Sequence, residues 1–389
     1  MVIALTQIKG VGYMFANSII NNLKIDSSLR IGNLSNEQVK SIENIIQNLA
    51  LEFTRKNYKV TIFADVSSEI NISGKTYLSK IFKLYNYGGI KFLRKLRKNF
   101  AIKKFLKSNN VSNIFFDTWK SAEPFFKLNN ASNIQTICLA HGNDVLDQGN
   151  LNKKRRICNT LKKIDRIIAN SHFTKEKIKS LGLDVSKVIV IHPGIDTDIK
   201  FLKPKKFYSQ TLVTLARLEK RKNHINVIKA VDELSKEEFP DIRYFIYGTG
   251  PESNSIENVI SETNNKNILL MSVAEDTKTA LPIGNIFIMP TIEDKESFSI
   301  EGFGIAYIEA AYFGIPSISS GIGGTNESVI HNKTGLICDG NNIQSIKASI
   351  KELLENKKKY ERLSKSAKKF ASSFLWDKKI NSYIKLLKN

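Results

Sequence analysis

The sequence predicts an α/β protein of two doubly wound parallel-sheet domains, Rossmann-like and facing each other across a deep cleft. Three observations predict it. Short apolar runs alternate with helical patterns along the whole chain. "YKVTIFAD", "NIFFDTW", "IQTICLAHG" and "DRIIANS" read as strands in the first half. "TLVTLAR", "IRYFIYGTG", "NILLMSV", "IFIMPT", "PSISSG" and "TGLICD" do so in the second. Strands separated by helices imply βαβ units and parallel sheets. Next, "IKFLKPKKFYSQ", Ile199 to Gln210, sets Lys, Pro and Ser between the two series and reads as a linker, which places the domains at 1–200 and 201–373. Finally, 389 residues with 42% hydrophobic and 25% charged side chains suit an ordinary globular chain with room for two cores. Sheets of this kind bind ligands at the carboxyl ends of their strands, so the cleft is the default site.

From the N-terminus, "VIALTQI" reads as a first strand, too short and without the basic flank of a signal peptide. "GYMFANSIINNL" follows as a helix, with Phe15, Ile19 and Leu23 on one face. No apolar run approaches the length of a membrane span. The stretch Lys91 to Lys107 carries eight cations interleaved with Phe and Leu. Phe92, Leu93, Leu96 and Phe100 share one helical face, which predicts an amphipathic helix that packs on the core or touches a membrane. Its basic face includes Arg94, Lys95, Arg97 and Lys98. Cys138, Cys158 and Cys338 form no CxxC pair, which fits a reducing compartment and supplies no metal site. Charge is uneven. Residues 1–200 hold 32 Lys and Arg against 15 Asp and Glu, whereas 201–389 hold 27 against 22. The first half therefore meets something anionic: a membrane surface, an acidic substrate or nucleic acid. No nucleic-acid motif appears, so nucleic acid is not expected.

The chemistry gathers in "EGFGIAYIEA", Glu301 to Ala310. Two carboxylates, Glu301 and Glu309, bracket a glycine turn, and a helix begins near Gly304 and is stopped by Gly314 and Pro316. On an ideal helix this spacing is about 80° of rotation and about 12 Å of rise, so both acids would face one cleft at different depths. A glycine turn entering a helix offers free N–H groups and a positive dipole end to a phosphate or sugar oxygen.

These residues resemble the retaining glycosyltransferases of family 4, whose fold is the two-domain GT-B architecture. Glu301 and Glu309 match the family's pair of glutamates, entered through Gly302, Phe303 and Gly304. "GGTNE", Gly323 to Glu327, and Thr334 to Leu336 match segments that follow. "LVTLARLEKRKNHINVIKAV" is similar to the strand, Arg and Lys before a helix, with Asn223 where glycine is usual after the Lys. "FIYGTGPE" resembles the Gly-x-Gly turn of Gly248 and Gly250, and "AHGNDVL" the His-Gly segment of His141. "QIKGVGYMF" resembles the N-terminal glycine loop, with Lys9 in place of a first glycine. "FLWDKKINSYIKLL" is similar to a C-terminal helix, 374–389, that completes the first domain.

The resemblance implies a hexosyltransferase moving a sugar from a nucleotide diphosphate donor, GDP- or UDP-linked and of mannose type, to a glycan or lipid-linked acceptor. It implies that Arg217 and Lys222 hold the diphosphate, aided by Gly10 and the turns at Gly248, Gly250, Gly302, Phe303 and Gly304. Val273 would meet the base through its backbone, Glu309 the ribose, Glu301 the sugar hydroxyls, and His141 the donor sugar. No cofactor is expected, and no metal: Asp196 and Asp198 form an Asp-x-Asp pair at the domain boundary that reads as a decoy. The expected location is cytoplasmic, or peripheral on the cytoplasmic face of the membrane. Two alternatives stay open, a same-fold nucleotide-sugar epimerase and a non-catalytic basic membrane- or nucleic-acid-binding protein.

Overall fold

The computed structural model describes residues 2–4, 36–65, 83–87, 91–128, 133–195, 210–271 and 280–387. The expected helix over "GYMFANSIINNL" and most of the linker lie outside them. The chain divides into two compact units. Unit 1 holds residues 1–170, 174–191 and 379–389, and unit 2 holds 171–173 and 192–378.

Unit 1 begins with β1 (Val2–Ala4), α1 (Asn36–Arg55), β2 (Thr61–Asp65), β3 (Lys83–Tyr87) and α2 (Lys91–Ser108). It continues with β4 (Asn113–Phe116), α3 (Trp119–Leu128), β5 (Gln135–Ala140), α4 (Leu151–Leu161), β6 (Arg166–Ala169), α5 (His172–Ser180, its first two residues in unit 2) and β7 (Val188–Val190). Its sheet runs β3-β2-β1-β4-β5-β6-β7, every pair parallel. The order reverses between β1 and β4, which makes their carboxyl ends the ligand crevice of such a sheet. All four residues of β4, "NIFF", are buried, as expected of a strand covered on both faces.

Unit 2 contains β8 (Thr211–Leu215), α6 (His224–Glu237), β9 (Arg243–Tyr247), α7 (Ser253–Thr263), β10 (Ile268–Met271) and β11 (Ile286–Ile288). Then come α8 (Ile305–Tyr312), β12 (Ser317–Ser319), β13 (Gly335–Ile337), α9 (Ile343–Glu355), α10 (Lys357–Ala371) and α11 (Trp376–Ile384), which passes from unit 2 to unit 1 after Lys378. Its parallel sheet is ordered β10-β9-β8-β11-β12-β13 and reverses between β8 and β11. One core cluster joins Leu212, Val231, Tyr244, Ile288 and Ile350, and a second joins Val213, Phe287, Tyr307 and Phe374. After α10 the chain meets Ile195: the Ile195 N–H donates to the Phe374 carbonyl at 2.9 Å. Gly194 lies flat under Trp376, where a Cβ would stand 2.5 Å from the indole.

The helix over Lys91–Ser108 forms, but Leu93 and Phe100 of its expected apolar face do not turn to the core. Leu93 and Phe100 are 43% and 62% exposed, while Lys98, Asn99 and Ile102 are buried. The C-terminal half sets the phase. Ile102 belongs to the core of unit 1, with Phe105 and Leu106 packed against it. The Phe105 ring sits 5.5 Å from Phe63 of β2. Lys98 precedes Ile102 by one helical turn and is carried inward with it.

Candidate active site

The site in unit 2 starts where β8 ends. The chain leaves the strand through Ala216 to Glu219, makes a 3₁₀ turn over Lys220–Lys222, and enters α6 through Asn223. Gly248 and Gly250 lie beneath this loop. A Cβ on them would stand 1.9 Å from the Ala216 carbonyl oxygen and 2.3 Å from that of Leu218. Their absence of a side chain serves this packing. Asn223 has φ 63°, a left-handed conformation that glycine and asparagine tolerate best. Its amide also donates to the carbonyls of Pro290, 2.9 Å, and Gly340, 2.6 Å. The departure from the usual glycine thus keeps the backbone turn and adds two buried hydrogen bonds.

Five charged side chains alternate in sign along this loop and the Glu301 turn. Arg217 Nε lies 3.4 Å from Glu219 Oε1, and Glu219 Oε2 lies 2.9 Å from Arg221 Nη2. Arg221 Nη1 donates to Glu301 Oε2 at 2.6 Å, and Lys222 Nζ reaches the same oxygen at 2.5 Å. Three cations against two carboxylates leave one positive charge over. Two buried nitrogens, Arg217 Nη1 and Arg221 Nε, have no hydrogen-bond partner. A buried N–H left open is costly, about 1–3 kcal/mol, so an incoming acceptor oxygen would be favoured here. Burial would raise the Glu301 carboxyl, but the Lys222 and Arg221 charges outweigh it and bring the pKa down to about 2. Glu301 is an ionised acceptor across the neutral range.

The Glu301 turn is held by a second glycine pair. Gly324 N–H donates to the Glu301 carbonyl at 2.8 Å. A Cβ on Gly323 would stand 2.2 Å from the Glu301 carbonyl oxygen, and one on Gly324 2.0 Å from that of Gly302. Gly304 has φ 89° and starts α8. Helix begins only at Ile305, so Glu301 lies outside it, and the ideal-helix phase expected between Glu301 and Glu309 does not apply. Glu309 is half-buried within α8, beside buried Ile308 and Ala310. Gly302 is buried, and so is Phe303, whose ring packs 5.0 Å from His192 and 5.9 Å from Phe374. The Phe303 side chain is spent on packing.

Of the remaining expected residues, His141 stands in unit 1 at the carboxyl end of β5. Its N–H donates to Asp144 Oδ1 at 2.8 Å, and its Nε2 lies 2.9 Å from the Asp117 carbonyl oxygen. Gly10, Val273, Asp196 and Asp198 lie outside the described residues. Among the described residues no group of three or more His, Cys, Asp or Glu side chains could hold a metal. Sequence reasoning missed Arg221 and Glu219, although the alternation of "RLEKRK" carried the signal. It also missed the role of Glu327, which ends "GGTNE". The Glu327 carboxylate accepts from the backbone of His172, 2.8 Å, and Phe173, 3.0 Å, and meets His192 Nε2 at 2.9 Å. It caps the first turn of α5.

A family model described as Glycosyl transferases group 1 matches residues 197–370, and one described as Glycosyltransferase Family 4 matches 42–199. The chain belongs to the group 1, family 4 glycosyltransferases. It is 27% identical over 197 residues to the GDP-mannose-dependent alpha-(1-6)-phosphatidylinositol monomannoside mannosyltransferase of Mycolicibacterium smegmatis, covering 47% of this chain and 51% of that one. The chain spans about half the length of the curated relatives it matches first. Among solved structures it resembles Anabaena HepE in complex with UDP and glucose, with a TM-score of 0.74 at 15% identity over 99% of both chains. It also resembles the sucrose-phosphate synthase of Thermosynechococcus elongatus, TM-score 0.75 at 17% identity over 99% and 98%. At such identities these likenesses establish the GT-B fold.

Proposed function

We propose that the protein is a retaining glycosyltransferase that moves a hexose from a GDP- or UDP-linked donor to a glycan or lipid-linked acceptor. The observation that carries the reading is the alternating chain Arg217, Glu219, Arg221, Glu301 and Lys222, with its surplus cation and two unpartnered buried N–H groups, at the switch point of the unit 2 sheet. A nucleoside diphosphate supplies the oxygens these groups lack. Arg217 and Lys222 offset its charge as it leaves, and buried cations are worth far more than exposed ones. Glu301 accepts sugar hydroxyls, and Glu309 the ribose hydroxyls. Retention follows if the leaving diphosphate takes the acceptor proton on the face it departs from, with no carboxylate acting as covalent nucleophile. With these cations in place, turnover needs no metal.

A mannose donor is favoured by the GDP-mannose-dependent relatives. Their acceptors, phosphatidylinositol mannosides by name, favour a lipid-linked acceptor for this chain as well. No described helix is long and apolar enough to cross a membrane. The exposed Leu93 and Phe100 on a helix with eight cations between Lys91 and Lys107 would place the enzyme peripherally on an anionic cytoplasmic leaflet.

The test is a calorimetric and thermal-shift screen with GDP, UDP, GDP-mannose and UDP-glucose in excess EDTA, followed by anomeric analysis of product. A good donor at 100 times its dissociation constant should stabilise the chain by about 2.7 kcal/mol. Absence of nucleotide binding, or activity restored only by added Mg²⁺ or Mn²⁺, overturns the corresponding part of the reading.

A further inference from the structure

The segment from Gly323 to Ser328 grips the Glu301 turn at two carbonyls. Gly324 N–H donates to that of Glu301 at 2.8 Å, and Ser328 Oγ to that of Phe303 at 2.8 Å. Between these two grips stands Glu327, the last residue of the 3₁₀ turn Thr325–Glu327. Its carboxylate meets His192, which follows β7 two residues on and opens the longer stretch of unit 2. His192 Nε2 lies 2.9 Å from Glu327 Oε2, and the His192 ring lies 5.0 Å from that of Phe303 at 30°, close to parallel. Three pieces of unit 2, distant in sequence, thus touch pairwise: the Glu301 turn, the 323–328 segment and His192. Two of the three contacts belong to His192. The rings of Phe374 and His172 stand 5.8 and 6.2 Å from it.

The His192–Glu327 bond has a fixed direction. Burial would raise the Glu327 carboxyl, but the His192 bond, with the His172 and Phe173 N–H groups, holds it below its ordinary range. An ionised carboxylate only accepts, so Nε2 of His192 carries the hydrogen. The neutral ring then leaves Nδ1 bare. The turn that this ring backs has little stiffness of its own. Phe303 is flanked by Gly302 and by Gly304, whose φ is 89°, and glycine backbone is the least restrained of all.

We propose that His192 is a positioning residue for the donor site: its ring backs Phe303 and its Nε2–H holds Glu327, so that the Gly302–Gly304 turn and the Glu301 carboxylate are set for a nucleotide sugar. The proposal rests on the reading of unit 2 as the donor side of a glycosyl transfer. A histidine that merely filled space would be replaced by phenylalanine without effect. A histidine that holds Glu327 would not.

Three variants separate the ring from its N–H. His192→Phe keeps the ring and loses the donor. His192→Gln loses the ring but sets an amide N–H near the place of Nε2. His192→Asn is one carbon too short to do so. Amide hydrogen exchange of peptides over 299–306, without nucleotide, reads the turn itself. It should quicken at least about fivefold in His192→Asn, with the β9 peptide unchanged. Calorimetry with GDP and UDP should show affinity down roughly tenfold in His192→Asn and roughly threefold in His192→Phe and His192→Gln. In a Glu327→Gln background His192→Phe should cost nothing further, because both remove one bond. Histidine ¹⁵N NMR of the parent at about pH 8, assigned by the loss of signal in His192→Phe, should show Nε2 protonated and Nδ1 bare. A ring protonated on Nδ1 alone, or a His192→Phe variant that matches the parent in exchange and affinity, overturns the assignment. Exchange in the expected order without nucleotide binding by the parent keeps the positioning role and sinks the transferase reading. Nucleotide binding with unchanged variants sinks the positioning role alone.

Discussion

Lys222 and Glu301, 79 positions apart in the chain, meet at 2.5 Å in unit 2. Arg221 reaches the same carboxylate oxygen, Oε2, at 2.6 Å. Oε1 of Glu301 receives no hydrogen bond from the described residues, so one oxygen is anchored and the other is the one the proposed function gives to the donor sugar. Arg221 gives Nη1 to Glu301 and Nη2 to Glu219, so its removal tests how Glu301 is held.

Arg221→Met leaves Lys222 as the one cation on Oε2. The Glu301 carboxyl then rises from about 2 toward its ordinary 4.5. On the proposed role of Glu301 as an ionised acceptor, the acid limb of kcat/KM should move up by about 1 pH unit. Turnover should fall at least tenfold, with Arg221→Lys recovering part of it. A pH profile that keeps its acid limb in Arg221→Met removes Arg221 from this role.

Asn223 combines a φ of 63° with two side-chain bonds to backbone carbonyls. Asn223→Gly keeps the conformation and loses the bonds, about 1 kcal/mol each. Asn223→Ala loses both and adds backbone strain, for about 1 kcal/mol more. Thermal stability should therefore fall in the order Asn, Gly, Ala. An alanine variant as stable as the glycine variant would show that the left-handed turn carries no strain.

Acid should weaken unit 2 in a defined window. Glu301 has a folded pKa of about 2 against an ordinary 4.5. A depressed carboxyl contributes its full stability above the unfolded value and loses it as pH falls through the folded one. The loss between pH 4.5 and 2 is on the order of 3 kcal/mol. Glu327, held below its ordinary range chiefly by His192 and the His172 and Phe173 N–H groups against the pull of burial, adds to it with the same sign. Urea denaturation of a Trp119→Phe variant, followed through Trp376, reads unit 2. A midpoint that does not move between pH 5 and 2.5 contradicts the linkage.

Glu309 is half-buried on α8, and Glu309→Gln keeps its shape and its amide oxygen, so the fold should survive. Nucleotide affinity should drop at least tenfold by calorimetry. Unchanged affinity takes Glu309 out of the donor site.

Long apolar runs such as "NIFF" and "TICLA" announced the central strands, because strands covered on both faces must be apolar throughout. β3 and β7 escaped notice. They are the two edge strands of their sheet, one the polar "KLYNY" and the other three residues long. For α2 the helix was legible and its inward face was not, since two candidate apolar faces exist and Ile102 with Phe105 decided between them. In the site, Lys222 and Glu301 could be named from the chain, but their pairing could not. Arg221 was hidden in "KRK". A run of three cations gives no sign of which is buried. The 3₁₀ turn leaves the Lys220 side chain 51% exposed and takes Arg221 to 5%.

The interlock of Gly323 and Gly324 with the backbone of Glu301 and Gly302 ties the histories of two distant segments together. Neither glycine can acquire a methyl group unless the opposite carbonyl moves, because that carbonyl oxygen already lies 2.2 or 2.0 Å from where the carbon would stand. A drift in one segment is thereby transmitted to the carboxylate in the other. Variation should therefore be tolerated on the outer side of each loop and refused where they touch. A saturation library at Gly323 and Gly324, scored for nucleotide binding and not for expression, would draw that border.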